Sequence, residues 1–231
     1  VQKTYFLRIT NKQTNKMKIL IACEESDEVR SRFELKGFDA WSCDLQPSRN
    51  PKNTKHLQCS VLDILGDDWD AMIAFPPCTH LAVSGAAWFE QKRKDGRQQE
   101  GIDFFMQLAN APIKHIAIEN PVGIMSKLYR KPTQIIQPYY FGDEAQKTTC
   151  LWLKNLPPLY HNAQPNLFTN NVTHVGRGEI ITYESGNRMA KWYAELRNVP
   201  KEERQKIRSK TFPGIANAMA NQWGEYLLKH K

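Results

Sequence analysis

No run of apolar residues in this chain is long enough to cross a bilayer, which takes roughly 20 in succession. A hydrophobic signal sequence is missing as well, so the expected setting is the cytoplasm, with no membrane partner. There is no CxxC pair: Cys23, Cys43, Cys59, Cys78 and Cys150 are scattered and odd in number. That pattern indicates neither a zinc site nor a disulfide framework, and it suits a reducing compartment. His80 and His115 have no ligand-like partner at short spacing and read as polar loop residues, so no metal is expected. Internal repeats and low-complexity tracts are absent. Glycine is missing between Ile21 and Lys36, where a dinucleotide-binding fold carries its phosphate-cradling turn.

The 231 residues, 41% hydrophobic and 24% charged, suit one globular domain with a small appendage. The net charge of +8 lies in two places. Residues 1–16 carry Lys3, Arg8, Lys12 and Lys16 and no acid. Residues 197–210 carry six cations, Arg204 and Arg208 among them, against Glu202 and Glu203. Each segment is either a solvated face or a contact for a polyanion. Residues 1–16 read as a disordered basic extension, 17–154 as the main domain and 155–210 as a small subdomain. Residues 211–231 read as a helix returning to the main domain.

Apolar runs of strand length occur at Lys18 to Cys23, Phe38 to Cys43, Ala71 to Phe75 and Ile116 to Ile118. Shorter ones lie within Leu57 to Leu65, which carries Asp63, and at Ile135 to Tyr140 and Thr149 to Leu153. Helical patterns fall between them: Glu24 to Leu35 with Ser26 as a cap, and 98–110 with Ile102, Phe105, Met106 and Ala109 at helical spacing. Strands alternating with helices predict an α/β fold, a mostly parallel sheet covered on both faces. Ile180 to Tyr183 followed by Ser185-Gly186-Asn187 reads as half a hairpin and its turn. Residues 201–210 read as a basic helix, and Ile215 to Leu228 as a final helix after the Phe212-Pro213-Gly214 break.

Two strand ends carry chemistry. Ile73-Ala74-Phe75-Pro76-Pro77-Cys78-Thr79-His80 ends an apolar strand in two prolines and a thiol. Proline fixes φ and lacks an N–H, so the loop is stiff, and it holds Cys78 at the edge where α/β proteins bind ligands. Ile116-Ala117-Ile118-Glu119-Asn120-Pro121 ends the next strand in a carboxylate. Cys78 is either a buried structural thiol or a nucleophile, which needs a lowered pKa. Glu119 is either a strand-end ion-pair partner or the proton donor beside that nucleophile. Asp44 and Asp63 suit ribose hydroxyls and an adenine amino group, or are turn residues. Trp192 and Tyr193 either stack on bases or pack the subdomain.

The order Pro-Pro-Cys, Glu-Asn-Pro and Gly-Ile-Ala-Asn-Ala resembles the DNA cytosine-5 methyltransferases over residues 17–228, closest to their small phage and prophage members. The resemblance implies a class I, Rossmann-like methyltransferase sheet with a small recognition insertion. It implies DNA as the substrate and S-adenosylmethionine as cofactor. Cys78 would be the nucleophile and Glu119 the acid that binds the extruded cytosine. Cys23, Glu24, Asp44, Leu45, Asp63, Pro76 and Asn217 would form the cofactor pocket. Pro77, Thr79, Ser84, Asn120, Gln146, Lys147, Arg204 and Arg208 would meet the substrate. Two motifs depart from the family's: Ala22-Cys23-Glu24-Glu25-Ser26 replaces Phe-x-Gly-x-Gly, and Gln146-Lys147-Thr148-Thr149 replaces Gln-Arg-x-Arg. The resemblance leaves room for a same-fold enzyme adding another group to a pyrimidine, for one acting on RNA or a nucleotide, and for a non-catalytic DNA-binding relic.

Overall fold

A computed structural model describes residues 16–164 and 172–231. All but the last residue of the basic N-terminal extension therefore lies outside the described residues. Seven strands form the central sheet: β1 (Lys18–Ala22), β2 (Asp39–Asp44), β3 (His56–Gln58), β4 (Ala71–Ala74), β5 (His115–Pro121), β6 (Gln134–Ile136) and β7 (Thr149–Lys154). Their order is β3-β2-β1-β4-β5-β7-β6. The run from β3 to β5 is parallel, and β7 lies antiparallel between β5 and β6. Order and direction are compatible with a Rossmann-like fold, in which the strand order reverses between β1 and β4.

The strand sequences explain the layering. Ile19 and Ile21 of β1 enter one core and Leu20 and Ala22 the other. Ala71 and Ile73 of β4 face the first, Met72 and Ala74 the second. Strands covered on both faces read as unbroken apolar runs, which is why these two stand out in the sequence. One face is covered by α1 (Arg30–Leu35) through Phe33 and by the C-terminal helices through Met219, Trp223 and Leu227. After α2 (Phe89–Lys94), α3 (Arg97–Ala109) covers the other face through Phe105 and Leu108, with Met125 of α4 (Met125–Leu128) beside it. Burial of a side chain such as Phe33 or Phe105 stabilises the fold by about 1.5–3 kcal/mol.

Several elements differ from expectation. The first helix begins at Arg30, not Glu24, and Ser26 is not its cap. The Glu24 carboxylate takes that role, accepting from the Val29 N–H at 2.6 Å and the Arg30 N–H at 3.1 Å. β3 ends at Gln58, so Asp63 sits exposed in a 3₁₀ turn, Val61–Asp63, rather than on a strand. β6 stops before Pro138, which cannot donate to a ladder, and Pro138–Phe141 turns as a 3₁₀ helix. His115 is not a loop residue: it opens β5, 3% exposed, with Nδ1 2.6 Å from the Asn155 carbonyl.

Beyond residue 155, β8 (Ile180–Thr182) and β9 (Arg188–Ala190) form the expected hairpin. Then follow α5 (Lys191–Glu195) and α6 (Lys201–Ser209). Trp192 packs edge-on against Phe212 and donates its indole N–H to the Gln146 carbonyl at 3.3 Å, so it docks the segment onto the main domain. The last helix is three pieces: α7 (Pro213–Ala218), a π turn at Met219–Trp223, and α8 (Gly224–Lys229).

Candidate functional site at the carboxyl edge of the sheet

Cys78 and Glu119 leave neighbouring parallel strands. Ala74 pairs with Ile118 in register, so Glu119 is one residue beyond the pair and Cys78 four. The two loops are then joined directly. Asn120, 1% exposed, donates its amide N–H to the Pro76 carbonyl at 2.9 Å. Val83 N–H donates to Val122, and Ile124 N–H to Leu81, each at 3.0 Å. A Cβ at Gly123 would collide with the Leu81 carbonyl, so only glycine permits this approach. The Cys78 carbonyl accepts from Leu81 and Ala82, turning the loop after it. Pro76 is buried; Pro77, Thr79 and Ser84 face solvent.

The two groups share one electrostatic neighbourhood. Burial raises the Cys78 thiol above its ordinary value and the Glu119 charge raises it further, while Lys147 and Arg208 act in the opposite sense. Burial also raises Glu119, opposed by the Lys147 ammonium and the Thr149 hydroxyl. Both groups are thereby biased toward their protonated, neutral forms, with two cations in reach.

Those cations belong to a roof. Lys147, half-buried beside β7, donates its ammonium to the Arg208 carbonyl of α6 at 3.0 Å. Arg208 lays its guanidinium over the Tyr193 ring at 4.5 Å, and Arg204 is half-buried on the same helix. Gln146 leaves its amide nitrogen buried without a partner among the described residues. At its other side α6 is held by Arg49, which donates to the Lys206 carbonyl at 3.2 Å and pairs with Glu25. Lys210 pairs with Glu28 at 2.6 Å. α6 itself buries no residue.

The β1 and β2 ends are built from acids. Cys23 turns the chain out of β1 with φ of 59°, and burial pushes its thiol up to about 12. Glu24, 5% exposed, fills the N-terminus of α1, and burial pushes its carboxyl up to about 7. This side chain stands at the helix N-terminus, where the free N–H groups would otherwise meet an anion. Asp44 accepts from the Gln46 N–H at 2.8 Å and is raised chiefly by burial. Leu45 beside it is 68% exposed. Asn217 lies exposed on α7 with its amide oxygen accepting from Arg32 of α1 at 2.7 Å.

The edge thus brings Cys78, Glu119, Asn120, Lys147 and Arg208 together, and Cys23, Glu24, Asp44 and Leu45 at its β1–β2 end. Three contributors were not legible in the sequence. Lys92, 7% exposed, donates to the Thr79 carbonyl at 2.6 Å and braces the loop after Cys78. It sits in Phe89-Glu90-Gln91-Lys92-Arg93-Lys94, which looks like a solvated face. Arg49 and Glu25 pair across two loops with no shared motif. Comparison with models of known protein families found no match, and comparison with curated proteins found none either.

Proposed function

We propose that this chain is a class I-type methyltransferase that methylates C5 of cytosine in DNA, with S-adenosylmethionine as donor. The observation that carries the reading is the Asn120–Pro76 bond, which fixes a thiol loop and a carboxylate-bearing strand end side by side. C5 of cytosine is a weak nucleophile. Addition of the Cys78 thiolate to C6 forms the Sγ–C6 bond and moves electron density to C5 and to the N3 edge. Glu119, raised by burial, holds a proton to share with N3 and accepts from the 4-amino group. Once Glu119 is neutral, its charge no longer opposes the Cys78 thiolate, while Lys147 and Arg208 still favour it. After substitution the C5 proton passes to solvent water, its electron pair re-forms the C5–C6 double bond, the Sγ–C6 pair leaves with Cys78 as thiolate, and N3 returns its proton to Glu119. A duplex base must be extruded first, at a cost of a few kcal/mol, and phosphate contacts from α6 offset part of this.

The β1–β2 end suits a donor that contains a ribose and lacks a phosphate. Asp44 suits the ribose hydroxyls, Leu45 an adenine face and exposed Asp63 its amino group, while Glu24 closes the anion position. S-adenosylmethionine has that composition, and when bound it supplies the methyl group. Pro76 lies across the same crevice, since Phe75 N–H donates to the Ala22 carbonyl at 2.9 Å.

The test is mass spectrometry of nucleosides from DNA of cells expressing the protein. Wild type should yield 5-methyldeoxycytidine and Cys78→Ala none. DNA containing 5-fluorocytosine should trap the wild type covalently and leave the variant free. Wild-type product from Cys78→Ala would end the nucleophile assignment. A modified pyrimidine of another mass would move the reading to a same-fold enzyme with a different donor, which the Glu24-filled turn also suits.

A further inference from the structure

A cavity of about 390 Å³ lies between α2, α3 and the segment after β5 that bonds to the loop following Cys78. α3 follows the β4 loop and precedes β5, so as a crossover helix it begins at the carboxyl edge of the sheet. Ile102, Ile124 and Leu128 supply an apolar lining, Gln98 and Gln99 two amides, and Arg93 and Lys127 two cations. Neighbouring cations are engaged: Lys94 with Glu90, and Arg97 with Asp95. The side chains of Arg93 and Lys127 make no ion pair or hydrogen bond among the described residues. The cavity wall is also bonded to the nucleophile loop. Gln98 donates to the His80 carbonyl at 3.3 Å, and Ile124 N–H to Leu81 at 3.0 Å.

Gln98 and Gln99 give their amide nitrogens to His80 and to the Asp103 carboxylate, so their oxygens remain to accept; with the apolar wall and the two cations they match the edge, the face and the phosphate of a nucleotide. The volume lies in the range of small-ligand pockets. We infer that this cavity takes a nucleotide of the DNA strand flanking the target, its base against Ile102, Ile124 and Leu128 and its phosphate on Arg93 and Lys127. The inference rests on DNA being the substrate. Occupancy braces residues 80 and 81, and through them the loop that carries Cys78.

Two measurements test it, both in the Cys78→Ala background: thymidine 5′-monophosphate binding by calorimetry and binding of a labelled duplex by anisotropy. Ile102→Trp fills the cavity without changing charge. The double change Arg93→Ala, Lys127→Ala removes the cations and leaves the lining. Each should weaken duplex binding about tenfold or more, the size of one lost base contact, and should weaken mononucleotide binding. Only the double change should flatten the salt slope, by about one, since the two cations share one phosphate. Unchanged duplex binding in a folded Ile102→Trp protein overturns the inference. So does unchanged mononucleotide binding in the double variant, which settles the matter if Ile102→Trp does not fold. Loss of mononucleotide binding alone, with the duplex unaffected, also overturns it. The parent reading fails separately: no modified nucleoside in cells, with both losses seen, removes the methyltransferase and leaves the cavity.

Discussion

Between β4 and β5, the Cys78 loop and the strand end bearing Glu119 are held by backbone pairs, prolines and the buried amide of Asn120. Around β1 and β2, the acids do the holding themselves: Glu24 caps α1 and Asp44 accepts from the N–H two residues on. The difference separates two kinds of work. Where backbone pairs and the Asn120 amide fix the geometry, the thiol and the carboxyl do not have to, and Glu119 is met by the Thr149 hydroxyl. Where side chains fix it, the acids are taken up in holding a helix and a turn.

The sharpest way to break this contrast is at Glu119. Glu119→Gln keeps the shape and cannot share a proton, so turnover should fall by about 10²–10⁴-fold, the usual worth of a general acid–base. DNA affinity should change far less. Single-turnover rates beside equilibrium binding decide it, and an unchanged rate would make Glu119 a structural residue like its counterparts across the crevice.

Glu24 tests the other side through stability. Its carboxyl moves from an ordinary 4.5 to about 7 in the fold. An acid with a raised folded-state pKa holds its proton more tightly when folded, so its contribution is fullest below about 4.5 and is lost as pH rises to about 7. At 1.36 kcal/mol per pKa unit the loss is roughly 3 kcal/mol. Glu24→Gln cannot titrate, so urea midpoints of wild type and variant should diverge across this window, the wild type falling. Parallel pH profiles would show that the carboxyl is not perturbed.

The smallest effect is expected at the roof. Arg204→Ala with Arg208→Ala should weaken binding to unrelated duplexes equally and flatten log K against log salt by about two, if each residue neutralises one phosphate. A salt titration on two duplexes measures it. An unchanged slope would reduce α6 to a solvated helix, and loss on one duplex only would make it a reader of bases.

The legible parts of this chain were those whose cause is local. β1, β4 and β5 are buried on both faces, and their apolar runs announce them. The prolines around Cys78 and after Glu119 mark strand ends for the same reason. The start of α1 escapes the sequence because Ser26 offers a nearby cap, whereas the cap that forms, Glu24, reaches five and six residues forward. His115 was misjudged because its partner, the Asn155 carbonyl, is 40 residues away. Lys92 and Arg49 act through contacts that no spacing encodes.

The Asn120–Pro76 bond spans 44 positions along the chain. Closing so long a loop carries an entropic cost that only neighbouring long-range contacts offset. β5 must therefore dock beside β4, past an α-helical crossover, before the bond can close. A chain halted earlier has the thiol and the carboxyl but no fixed separation between them. The fixed separation of thiol and carboxyl is thus a late product of folding, absent until the long-range contacts around it have formed.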